Sequence, residues 1–202
     1  NDFLRDRQQV YDGPQLQLDF RSRAQISGST AIIPVRGAID YRASLASDFG
    51  VVASSEAIRD DFNRLMGEPS VERIVFDIDS PGGLYSGLPE LAADVFAARG
   101  EKHIVAVANP TTASGALWLA ASAAKFVTLG SGQVGSLGAL MMHTDASGFY
   151  ESNGIANTIL RSPEGKADFN DLEPLTAESR EHHQGQVNAI ASEFISAMAK
   201  FR

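Results

Sequence analysis

The sequence predicts an α/β layered domain with a mostly parallel sheet and a C-terminal helix. Three observations lead there. Short apolar runs at 31–39, 73–78 and 103–108 alternate with segments whose apolar residues recur at helical spacing. The helical segments run to about ten residues or more, enough to carry the chain back across a sheet, so the strands they join lie parallel. The longest helical stripe closes the chain.

Residues 1–29 are polar and weakly patterned, and they read as an arm ahead of a domain spanning 30–202. "AIIPVRGAI" (31–39) is a strand, with Pro34 calling for an edge or a bulge because it lacks an N–H. Residues 40–53 read as a loop. Ile58, Phe62, Leu65 and Met66 then share one helical face, ended by Gly67 and Pro69. "RIVFDI" (73–78) is a buried strand that runs into the tight turn "DSPGG". Leu88, Leu91, Ala92, Val95 and Phe96 form the next helical stripe, stopped at Gly100. "HIVAVA" (103–108) is a strand and 113–124 a helix. Strands are expected at 125–129, 136–143 and 156–161, with a short helix at 145–153. A polar loop, 162–175, leads to the final helix. Thr176 is its N-cap, and Val187, Ile190, Ala191, Phe194, Ile195 and Met198 form its apolar face.

The composition narrows the function. A net charge of -8 over 202 residues argues against broad binding to nucleic acid or anionic membranes. The absence of cysteine removes disulfides, thiol nucleophiles and thiolate metal sites. No stretch approaches the ~18 consecutive apolar residues of a membrane span. The start, "NDFLRDRQQV", carries neither a signal pattern nor an initiator Met, and the chain reads as a fragment of a longer protein.

In parallel α/β sheets, sites form where strands hand over to helices at their carboxyl ends. Two turns occupy such places: Ser80 to Gly83, and Asn109 to Gly115. Gly82 and Gly83 leave room for an approaching carbonyl and tolerate dihedrals that turn N–H groups inward. A helix N-terminus adds unpaired N–H groups and partial positive charge. Ser114, at the mouth of the 113–124 helix, reads two ways from this pattern: as a helix cap, or as a nucleophile beside an oxyanion hole built from the glycine turn and Gly115.

The base is less legible. His103 begins a strand, and His182 and His183 lie on the final helix. His143 reads either as a triad histidine or as a satisfied core residue, with no aspartate singled out beside it. No histidine pair has metal-ligand spacing around an acidic residue. A lysine is the other option, since burial without a counter-charge favours the neutral amine that can take a serine proton. The four lysines are Lys102, Lys125, Lys166 and Lys200, and Lys166 lies in the Gly- and Pro-containing stretch "RSPEGKADFND".

Four blocks in order, "FDIDSPGG", "TTASGALWLAASAA", "GSLGALMMH" and "RSPEGKADFNDLEPLT", resemble the signal peptide peptidase A-like serine peptidases, which share a Clp/crotonase-like fold. They span residues 76–176. The resemblance implies that Ser114 is the nucleophile, Lys166 the general base, and Gly83, with Gly82 beside it, and Gly115 the oxyanion donors. It implies no cofactor and no metal. Two departures stand out: Ala116 where the family often has a second glycine, and "RSPEG" where a lysine-serine-glycine run usually precedes the lysine. "MMHTD" and "KADFNDLEPLT" look most like the bacteriophage branch, the head-maturation proteases of the minor capsid protein C type. That branch implies a serine endopeptidase domain over 30–202 acting on scaffold and capsid proteins in the procapsid or cytoplasm of a bacterial host. It also implies a homo-oligomeric ring in which neighbouring protomers can share a site. The alternatives are a membrane-associated signal peptide peptidase, a peptidase using His143 as base, a catalytically inactive capsid or scaffold-binding component, and a crotonase-like enzyme acting on acyl-thioesters.

Overall fold

The computed structural model describes residues 24–42 and 52–202. The main sheet has six strands: β1 (Gln25–Ser27), β2 (Thr30–Arg36), β5 (Arg73–Ser80), β6 (His103–Ala113), β7 (Lys125–Thr128) and β8 (Gln133–Gly135). Its order is β1-β2-β5-β6-β7, and β8 also pairs with β6. β1 is antiparallel to β2, and every other pairing is parallel. A small parallel pair, β3 (Ala38–Asp40) with β4 (Val52–Ser54), stands beside it. Among the described residues the helices are α1 (Ser55–Met66), α2 (Leu88–Ala97), α3 (Gly115–Ser122), α4 (Ser147–Ser152) and α5 (Ala177–Phe201). The predicted α/β class, the mostly parallel sheet and the C-terminal helix are all present.

Alternation along the strands determines which face carries the core. In β5, Ile74, Phe76, Ile78 and Ser80 are buried while the residues between them are not. β2 and the first half of β6 alternate in the same way. Period-two burial places these residues on one face of the sheet. They pack there with Ile58, Phe62 and Leu65 of α1, Leu91 and Val95 of α2, and Leu119 of α3. α3 is buried on every side, as its uninterrupted small and apolar residues require. A second cluster joins α3 to α5. Trp118 stacks on Phe194 with ring centroids 4.6 Å apart and planes within 3°.

Several expectations are corrected. The 31–39 run is two strands, β2 and β3, parted at Gly37, whose φ is 71°. Pro34 sits where β1 no longer covers β2, since that pairing ends at Ile32, so the missing N–H costs no ladder bond on that side. Most of the arm lies outside the described residues, and its last residues form β1. The expected 40–53 loop contains β4, and the rest of it beyond Arg42 lies outside the described residues. Residues 136–143 and 156–161 are not strands. Leu140, Met142 and Leu160 are 85, 80 and 93% exposed. β6 ends at Ala113, opposite Gly135, so it offers 136–143 nothing to pair with, and a strand without a partner leaves its backbone groups unpaired.

In α5, Thr176 caps the helix as expected, its hydroxyl accepting from Ser179 N–H at 3.1 Å. The apolar face is narrower than predicted: Phe194 is buried, but Ile195 is 58% exposed. Among the described residues no helix is long and apolar enough to cross a membrane.

Candidate active site

The parallel β5–β6 pairing brings the two turns together. The register Ser80 opposite Thr112 sets the glycine turn alongside the end of β6. Asp79 accepts from the Thr111 N–H and ties the turns further. Ser114 follows the last residue of β6 and precedes the first of α3. Its φ of 50° and ψ of -125° are strained for a residue with a side chain. Its N–H donates to Gly135 O at 2.9 Å, and its carbonyl accepts from the Leu117 and Trp118 N–H groups. The side chain makes no capping bond, so the backbone of Ser114 starts the helix and its hydroxyl is left over.

The glycines are required by contact as well as by dihedral. A Cβ on Gly82, whose φ is 94°, would stand 2.7 Å from Ser114 Cβ and 2.8 Å from Gly115 N. A Cβ on Gly83 would lie 1.9 Å from Ile39 O. That approach is fixed by two bonds, Ile39 N–H to Gly82 O and Leu84 N–H to Ile39 O, at 2.9 and 2.8 Å. The Gly82 N–H is taken by the buried Ser80 hydroxyl at 3.1 Å. Ser80 therefore shapes the turn, a role the sequence reading missed although the serine stands directly before Pro-Gly-Gly. The Gly83 and Gly115 N–H groups have no intramolecular acceptor among the described residues. They lie close together: Gly83 N is 3.6 Å from where a Gly115 Cβ would be.

Ser114, Gly82, Gly83 and Gly115 line one groove of about 830 Å³. Leu84 and Tyr85 line it together with residues 136–141, Trp118, Ile190 and Phe194. Among the described residues that line it, no side chain is charged. Leu117 is core, while Trp118 belongs to both core and groove.

Neither candidate base lines this groove. Lys166 is exposed, in a turn where its N–H donates to Pro163 O. The loop around it is clasped. Arg161 pairs with Glu173 and holds that carboxyl below its usual range, and Asn170 Nδ2 donates to Ala167 O at 2.7 Å. His143 closes the loop from outside. Its Nε2 lies 2.6 Å from Asn170 O, which can only accept, so Nε2 carries the proton. The His143 ring meets Phe169 edge-on at 5.2 Å. Two other lysines have structural tasks. Lys102 Nζ donates to Leu65 O and Glu68 O at the end of α1, and Lys200 lies over the Phe96 ring.

The model for peptidase family S49 matches residues 97–202, just over half of the chain. The chain belongs to peptidase family S49. This S49 chain is 27% identical over 177 residues to the head-tail preconnector protein GP5 of Enterobacteria phage P21, covering 88% of its own length and 35% of that protein. It is 25% identical over 190 residues to the capsid assembly protease C of Escherichia phage lambda, covering 94% of its own length and 42% of that protein. It thus spans well under half the length of these relatives. They agree with the phage branch that "MMHTD" and "KADFNDLEPLT" resemble.

Proposed function

We propose that this S49 domain is a serine endopeptidase of phage head assembly, with Ser114 as nucleophile and Lys166 as general base. The observation that carries the reading is the strained Ser114 elbow: its hydroxyl is free of capping duty, and two unpaired N–H groups lie beside it in an uncharged groove. Neutral Lys166 takes the Ser114 proton, and Oγ bonds to the substrate carbonyl carbon. The Gly83 and Gly115 N–H groups hold the oxyanion. The tetrahedral species collapses by breaking the C–N bond, and Lys166 returns its proton to the leaving amine. Water, giving up a proton to Lys166, then clears the acyl-enzyme.

Substrates are capsid or scaffold proteins, by similarity to the phage protease, and the site of action is the procapsid or host cytoplasm. The working form is a homo-oligomeric ring. Exposed Lys166 and the exposed Leu140, Met142, Phe149 and Leu160 are what neighbouring copies would cover.

The test is fluorophosphonate labelling of the assembled protein across pH 6–10, with the modified residue mapped by peptide mass. Label on Ser114 is expected. An assembled protein that takes no label would count against the reading.

Gly83→Ala checks the oxyanion role. A fall in kcat of about 10²–10³-fold is expected, with KM little changed. Thermal unfolding should also occur earlier, because the new methyl meets the Ile39 backbone. Unaltered kcat would remove Gly83 from the oxyanion hole.

A further inference from the structure

The loop that carries Gly83 is held on two sides. Toward β3 it is fixed by the Ile39 bonds, and at its end Ser55 Oγ donates to Ser86 O at 3.3 Å. Toward the terminal helix the contact is Tyr85. Its hydroxyl donates to Glu193 Oε2 at 2.6 Å, across 108 positions of chain. The Tyr85 ring lies 6.1 Å from Trp118, which stacks on Phe194, the neighbour of Glu193. Tyr85, Trp118 and Phe194 all line the groove beside Ser114. One helix therefore touches both the groove floor and the loop bearing an oxyanion donor.

We propose that Tyr85 and Glu193 form a latch that positions the Gly83 N–H, so that seating of α5 sets the competence of the site. This rests on the peptidase reading above. Tyr85 is a positioning residue here: its hydroxyl is turned to Glu193 and acts through the loop. The acceptor carboxylate, with burial and Glu90 adding to its effect, pushes the Tyr85 hydroxyl up to about 12, so the donor keeps its proton well into the alkaline range.

The test uses the assembled full chain as wild type, Tyr85→Phe, Glu193→Ala, Glu193→Gln and the Tyr85→Phe/Glu193→Ala double variant. Two readouts are followed: the rate of fluorophosphonate labelling, and acrylamide quenching of Trp118, the chain's single tryptophan. Tyr85→Phe and Glu193→Ala are each expected to slow labelling about tenfold and to increase quenching. The double variant should be no slower than either single one, because both remove the same bond. Glu193→Gln keeps an acceptor oxygen and should recover most of the rate. Unchanged labelling in Tyr85→Phe, additive losses in the double variant, or a Gln variant as slow as the Ala variant would each overturn the latch. A wild type that takes no label overturns the peptidase reading and the catalytic role of the latch with it. Unchanged quenching in Tyr85→Phe overturns the latch itself, whether or not the protein is active.

Discussion

Ser114→Ala is expected to abolish labelling and to lower peptide hydrolysis by at least ~10⁴-fold, with the fold retained. The loss is that large because the hydroxyl is the group proposed to bond to substrate. Ser114→Gly should be equally inactive but more stable than Ser114→Ala. The elbow holds a residue with a Cβ at φ 50°, a conformation that costs on the order of 1–3 kcal/mol and that glycine adopts freely. Relief of about 1 kcal/mol corresponds to an unfolding midpoint about 2–4 °C higher for a domain of this size. Differential scanning calorimetry of the two inactive variants isolates the effect, since both lack the hydroxyl. Equal midpoints would mean that the elbow stores no strain. Residual hydrolysis by Ser114→Ala above background would place the nucleophile elsewhere.

Lys166→Ala is expected to slow acylation by about 10³-fold or more, and His143→Ala by far less. The asymmetry follows from the hydrogen bonds. His143 commits Nε2 to Asn170 O and packs its ring on Phe169, which suits a residue that braces the loop around Lys166. Lys166→Ala removes the amine proposed to accept the serine proton, whereas His143→Ala removes a brace of the loop that carries it. Single-turnover labelling across pH, on protein whose assembly is checked by sedimentation, separates the candidates. Loss of labelling in His143→Ala, with Lys166→Ala retained, would make the histidine the base.

Much of this site could be read before any coordinates, for a physical reason. The conformations it needs are local. A helix that opens after a strand needs a turn, Pro-Gly-Gly and Ser-Gly supply the dihedrals for two such turns, and Thr176 caps a helix with its own hydroxyl. Whether the Ser114 side chain caps the helix was not local: the sequence pattern is the same either way, and only the structure shows that it makes no capping bond. The strands expected at 136–143 and 156–161 failed for a related reason. An apolar run shows that burial is available, but a strand also needs a neighbour to bond to, and β6 ends at Ala113, opposite Gly135, before 136–143 begins.

The sequence by itself determined the alternation of strands and helices, the family, and the identities of Ser114, Gly82, Gly83, Gly115 and Lys166 as candidates, because each depends on residue type and short-range order. Only the tertiary structure decided that β5 and β6 pair in parallel with Ser80 beside Thr112, that Gly83 has no room for a Cβ against Ile39, and that Tyr85 reaches Glu193 on the last helix. Those contacts join residues far apart in the chain. They exist because burying the Ile, Phe and Trp side chains of several elements at once selects one packing, and no single segment encodes that selection.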